Sequence, residues 1–208
     1  MVKPLLNQEF EKIKIFKEFD LIRIRVPMDG NCFFHSILKA YFKPYIVGKI
    51  DGEVFNRKEF IKNLRKDLAK KLGSRVVPKD RKSKTHYETL SNGELKNISK
   101  DIPKYSLKNM QKELNSSSPV SNIYNEFISN ELDIDLYILD AEKKDVYMTG
   151  TDEDLLYKNR KSVVILYMPG HYELVGLMNS DNEVETLFSA KSDLIQKIRL
   201  RMRELVKE

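Results

Sequence analysis

The chain has one cysteine, Cys32, in the stretch Asp29-Gly30-Asn31-Cys32-Phe33-Phe34-His35-Ser36. A thiol on the turn between an extended run and a helical run has the setting of a nucleophile. The sulfur of a first helical residue lies near the positive end of the helix dipole, which favours thiolate. The backbone N–H of Cys32 has no partner inside the helix. With an N–H from the Asp29–Asn31 turn, it can hold the oxyanion of a tetrahedral intermediate. Gly30 permits a turn conformation that other residues resist. The plain alternative is a buried apolar cysteine behind a tight turn.

A thiol nucleophile needs a base, and the chain offers His35, His86 and His171. His35 is three residues beyond Cys32 on the same helix and aims poorly at the sulfur. His86, in Lys84–Leu90 "KTHYETL", reads as a surface histidine. His171 follows Pro169-Gly170 and opens the extended run His171-Tyr172-Glu173-Leu174-Val175. From the mouth of a strand it can face a helix N-terminus across a cleft. Alternation puts His171 and Glu173 on one face of that strand, with Tyr172 on the other. Glu173 is therefore placed to fix the imidazole tautomer, the orienter's part in a Cys-His-acid triad.

The elements that must position these residues are legible in the apolar pattern. Leu21–Val26 alternates as a strand and stops at Pro27; Cys32–Phe42 follows as a helix. Asn56–Leu72 is the clearest helix, with Phe60, Leu64, Leu68 and Leu72 four residues apart and Gly73 after it. Phe10, Ile13, Phe16 and Phe19 at helical spacing predict a helix within Asn7–Phe19. Val76–Ser118 is polar and broken by Gly93 and Pro103, so short helical pieces and loops are expected there. Ser121–Glu131 predicts a helix and Ile134–Leu139 a strand, with Asp145–Thr149 pairing onto it. Lys161–Met168 and His171–Leu177 form a hairpin around Pro169-Gly170. Leu194, Ile198, Met202 and Leu205 make the apolar stripe of a docked C-terminal helix. The expected class is α+β, with helices around a small, mostly antiparallel sheet. The expected organisation is an N-terminal helix over 1–19, a domain over 20–180 and an amphipathic helix over 181–208.

At 208 residues with a net charge of +6 and a pI near 9.1, one domain is the default. The denser basic stretches are Lys79–Lys84 and Lys197–Arg203. Neither is interleaved with aromatics of the kind that stack on bases. A solvated lysine-rich surface, with no nucleic-acid partner, is the expectation. No run approaches the roughly 18 apolar residues of a membrane span. The N-terminus lacks a secretory pattern, and a lone cysteine makes no internal disulfide. A cytoplasmic, monomeric protein is expected. Cysteine and histidine are too few for a metal site, and no cofactor is expected.

Three segments together resemble the ovarian tumour (OTU) family of cysteine proteases. They are Asp29-Gly30-Asn31-Cys32 ahead of an aromatic-rich helix, the middle segment Phe127–Leu139 "FISNELDIDLYIL", and the distal His171-Tyr172-Glu173-Leu174-Val175. The resemblance runs from about Asp20 to Leu177. It implies a papain-like OTU fold and a deubiquitinase, with Cys32 as nucleophile and His171 as general base and then general acid. Asp29 falls in the family's cysteine loop and is often counted with the catalytic set; its place in a tight turn suits shaping that loop on the oxyanion side, with Gly30 and Asn31. The implied partner is ubiquitin or polyubiquitin, or a ubiquitin-like modifier, cut at its C-terminal glycine. Gly170 and Tyr172 would flank the substrate tail, although Tyr172 equally suits a core position. Acidic groups should line the approach of the tail's arginines.

Two departures stand out. The family usually has Asp or Asn two residues after the histidine, where this chain has Glu173. Some members take the acid from the strand before the cysteine loop, which makes Asp20 the alternative. Many members also carry Trp-Gly where Ser117-Ser118-Pro119 stands here. The short, lysine- and asparagine-rich form resembles viral or intracellular-bacterial relatives, which implies a host cytoplasm. A catalytically weak ubiquitin-binding module, a basic nucleic-acid-binding protein and a different thiol hydrolase of similar architecture remain as alternatives.

Overall fold

The computed structural model describes residues 10–80, 82–92, 103–149 and 156–207. The strands are β1 (Phe10–Lys12), β2 (Leu21–Ile24), β3 (Lys49–Ile50), β4 (Glu53–Val54), β5 (Asp135–Asp140), β6 (Asp145–Val146), β7 (Ser162–Met168), β8 (His171–Met178) and β9 (Val184–Glu185). The helices are α1 (Cys32–Tyr41), α2 (Lys43–Val47), α3 (Arg57–Leu72), α4 (His86–Asn92), α5 (Leu107–Asn115), α6 (Asn125–Leu132) and α7 (Asp193–Leu205). Among the described residues, seven strands make one sheet in the order β1-β2-β8-β7-β5-β6, with β9 against the end of β8. Every pairing in it is antiparallel except β5 with β7, which starts at Asp135 opposite Ser162. β3 and β4 form a separate hairpin.

The α+β class with a mostly antiparallel sheet flanked by helices is what the structure has. Period-two alternation sorts the central strands between two cores. Leu136, Ile138, Val163, Ile165, Tyr172 and Leu174 face α1, α3, α5 and α6. Tyr137, Leu139, Val164, Leu166 and Val175 face α7, through its Leu194, Ile195, Ile198 and Met202. Strands buried on both faces read as continuous apolar runs, as β5 and β7 do.

The N-terminal segment differs from expectation. Residues 1–9 lie outside the described residues, and 10–19 are not helical. Phe10 pairs with Ile24 and Lys12 with Ile22, so the chain enters as an edge strand. The Ile13 N–H then donates to the Leu21 carbonyl, 3.0 Å away, and Phe16 turns the chain at φ +54°. Ile13, Phe16 and Phe19 pack on the α7 core from this irregular turn. The three-residue spacing that imitates a helix is met by a loop folded over an apolar surface.

α3 starts where Asn56 caps it, the side chain accepting the Glu59 N–H at 3.0 Å. The polar stretch 76–118 holds α4, a 3₁₀ turn at Pro103–Tyr105 and α5. His86 is not a surface loop residue: it opens α4, packs its ring on Phe127 and lies 3.3 Å from Glu131.

Candidate active site

α1 begins at Cys32, and the loop before it is tied locally. Asp29 Oδ1 accepts the Asn31 N–H at 3.1 Å, the bond by which an Asx turn is closed. Gly30 has φ +78°, and an added Cβ there would stand 2.1 Å from the carbonyl oxygen of Ser117. Both the backbone angle and the neighbour therefore require glycine. Cys32 is only 3% exposed. Burial pushes its thiol pKa up, the nearby Asp29 charge adds to this, and the backbone N–H groups of Tyr172, Phe33 and Cys32 itself pull the other way. Burial outweighs the pull of these N–H groups and favours the thiol over the thiolate.

The Tyr172 N–H reaches that sulfur because of strand lengths. β2 pairs with β8 only over Leu174–Leu177, so the first residues of β8 run past the end of β2. The turn Pro169-Gly170, with Gly170 at φ +76°, returns β7 into β8 with Met168 opposite His171. Proline then glycine at these positions is the pattern of a type II turn. Tyr172 also locks α1 to β8, its ring edge-on to Phe33 at 5.5 Å. Cys32 thus sits against the residue that follows His171.

His171 and Glu173 share a face of β8, as alternation predicts. His171 Nε2 is 3.6 Å from Glu173 Oε1, with both side chains more than nine-tenths buried. Nε2 makes no hydrogen bond at this distance. The other carboxylate oxygen of Glu173 faces Arg23 of β2, 3.4 Å from Nη1. Arg23 in turn pairs with the exposed Glu11 on β1.

Cys32, at the N-terminus of α1, therefore lies against the Tyr172 backbone, next in sequence to the His171–Glu173 pair at the start of β8. Thirty-eight solved chains match this arrangement of elements. An OTU domain solved in complex with ubiquitin superposes with a TM-score of 0.54 at 19% identity, over 97% of this chain and 93% of that one. The fold is that of an OTU domain. Viral OTU structures also match. The protease from Dera Ghazi Khan virus has 15% identity and a TM-score of 0.44, over 83% of this chain and 97% of that one. The OTU of Hazara virus bound to ubiquitin has 13% identity and a TM-score of 0.40, over 86% and 96%. No family model matches the sequence, and no curated protein matches it.

Within this OTU fold, Asp20 stands apart from the site, while Tyr172 and Asn31 lie beside Cys32 in other parts than expected. Asp20 is exposed and paired with Lys12 at 3.0 Å. Its carbonyl accepts the N–H of Met178, at the opposite end of β8 from His171. Tyr172 is a core aromatic between Phe33 and Tyr167, so its ring is not free to cover a substrate. Asn31 keeps its N–H on Asp29, so that group is not free to meet an oxyanion.

His35 is buried and fully engaged. Its Nε2 lies 3.1 Å from Asp29 Oδ1 and its Nδ1 2.5 Å from the Tyr45 hydroxyl. Burial pushes Tyr45 up to about 12, so the phenol donates to Nδ1 and Nε2–H donates to Asp29. Burial also holds the His35 pKa below its ordinary value, with Asp29 only partly offsetting it. For Asp29, burial pushes up, but the bonds from His35 and Asn31 outweigh it and hold the carboxyl below the usual range. The fold therefore favours neutral His35. That stability is complete above the unfolded imidazole pKa of about 6.5 and is lost as pH falls through the folded value. The urea midpoint is expected to fall between pH 7.5 and 5.0, and less steeply in His35→Gln. Equal slopes in the two proteins would refute this.

The largest residue missed by sequence reasoning is Arg65. It lies on α3 with 2% exposure and donates to the carbonyls of Leu114 (2.9 Å), Glu113 (3.0 Å), Ser118 (2.8 Å) and Gly30 (3.4 Å), and to Asn31 Oδ1 (2.6 Å). Within "KNLRKDL" it looks like one more solvated charge. Its only sequence signal is that it follows Leu64 and precedes Leu68 by three, on the edge of the apolar stripe.

Proposed function

We propose that the chain is a thiol isopeptidase that hydrolyses the bond at the C-terminal glycine of ubiquitin in conjugates or chains. The observation that carries this reading is the meeting of the Cys32 sulfur with the β8 backbone beside the His171–Glu173 pair, in an OTU fold. Because Nε2 of His171 faces Glu173, Nδ1 is left for the thiol. His171 takes the Cys32 proton as substrate displaces water, and the thiolate attacks the glycine carbonyl carbon. The N–H groups of Cys32 and Gly30 receive the oxyanion. Collapse of the tetrahedral intermediate breaks the C–N bond, and His171 gives its proton to the departing lysine amine. A water deprotonated by His171 then attacks the thioester, and its collapse returns the thiol. Glu173 orients the imidazole, its 3.6 Å gap closing to a hydrogen bond as the imidazolium forms. Asp29 shapes the loop, with no proton to transfer. Gly170, with no described atom within 4 Å of a Cβ built on it, leaves an open flank on the His171 side for a tail that ends in two glycines.

The test is to incubate the wild-type chain with ubiquitin carrying a C-terminal electrophile and with diubiquitins of each linkage. A one-to-one adduct that maps to Cys32, together with cleavage of at least one linkage, is expected. Absence of both would overturn the reading.

A further inference from the structure

We propose that Arg65 is a positioning residue for the cysteine loop: it locks the Gly30–Asn31 peptide and so sets where the neighbouring N–H groups meet an oxyanion. The proposal rests on the reading of Cys32 as nucleophile. The Gly30–Asn31 amide is held at both ends. Its oxygen and the Asn31 side chain accept from Arg65 Nη1, and its N–H donates to Asp29. Retreat is blocked, because Ser117 O lies where a Gly30 Cβ would begin. The other three bonds of Arg65 go to the end of α5 and to Ser118. A cation at a helix C-terminus is well placed to take the last carbonyls, and those bonds would suffice for a purely structural part. Nη1 does something separate: it carries that anchorage into the loop beside the sulfur. The guanidinium also lies over the Phe34 ring of α1, 5.4 Å from its centroid, so one side chain joins α3, α5, α1 and the loop.

A planar fork is required for this. Lysine keeps the charge but has one nitrogen, which cannot serve acceptors spread around the edges of the planar guanidinium. Arg65→Lys is therefore the test, with three readouts in the full chain. Deuterium exchange in the peptide covering Met28–Phe33 should quicken while exchange within α7 does not. Turnover of a ubiquitin-linked fluorophore should drop ~100-fold in kcat, with KM within about threefold, as expected when reacting groups are misplaced by an ångström. Alkylation of Cys32 by iodoacetamide forms no oxyanion, and its rate should not fall with turnover; a looser loop around this buried thiol can only raise it. Should Arg65→Lys fail to fold, Asn31→Ala leaves the α5 bonds of Arg65 in place and carries the same three comparisons. Unchanged loop exchange overturns the proposal, as does a parallel fall of turnover and alkylation, which marks general loosening. A wild type inert toward ubiquitin would refute the function proposed above, and loop exchange would still decide the part played by Arg65.

Discussion

Gly30→Ala is expected to lose at least ~100-fold in turnover and to melt roughly 5–15 °C below wild type. Two costs add. A non-glycine residue at φ +78° costs about 1–2 kcal/mol. The new methyl would start 2.1 Å from the Ser117 oxygen and 3.2 Å from its carbonyl carbon. Both are main-chain atoms, so no side chain can swing aside, and overpacking of this kind costs about 1–3 kcal/mol. Gly52→Ala is the control. It has φ +87° with nothing within 4 Å of an added Cβ, so it carries the backbone cost alone and should leave turnover untouched. Thermal melts and fluorophore release on the two variants separate the terms. Equal melting points would show that the loop can move off Ser117.

The second large effect separates the two candidate acids. Glu173→Ala should slow turnover by ~100-fold or more, since an unoriented imidazole samples the wrong tautomer and direction. Glu173→Gln should retain much of the rate, because its amide oxygen can still accept from Nε2. Asp20→Ala should stay within about twofold of wild type, since among the described residues its carboxylate pairs with Lys12, an exposed pair worth less than ~1 kcal/mol. A slow Asp20→Ala beside a fast Glu173→Ala would reverse the assignment. Removing Glu173 also strands Arg23, though the guanidinium keeps Glu11, so the fold should tolerate the change better than the chemistry does.

What the sequence discloses and what it hides have different physical causes. β7, β8, α1 and α3 were legible because burial imposes a local period on them. His171 and Glu173 were legible as a pair for the same reason: two residues apart on a strand means one face. Residues 10–19 misled because Ile13, Phe16 and Phe19 meet their apolar partners from a turn, and spacing alone does not tell a turn from a helix. The burial of Cys32 was hidden, since the composition of its loop says nothing of the Tyr172 backbone laid against it. Arg65 was hidden more deeply. Its acceptors are mostly main-chain oxygens brought from distant segments, and main-chain oxygens leave no mark in composition. The bonds of His35 to Asp29 and Tyr45 were hidden likewise, as they span a loop and two helices.

β8 enters the sheet late yet lies near its middle, between β2 and β7. During translation the thiol leaves the ribosome long before its imidazole has been made, and β2 waits with one edge bare. Long-range pairing of this kind delays closure until most of the chain is available. A prematurely terminated product ending before His171 would hold the cysteine without the imidazole that the proposed mechanism assigns to it. Such fragments would lack the proposed activity, which would arrive only with the final strands.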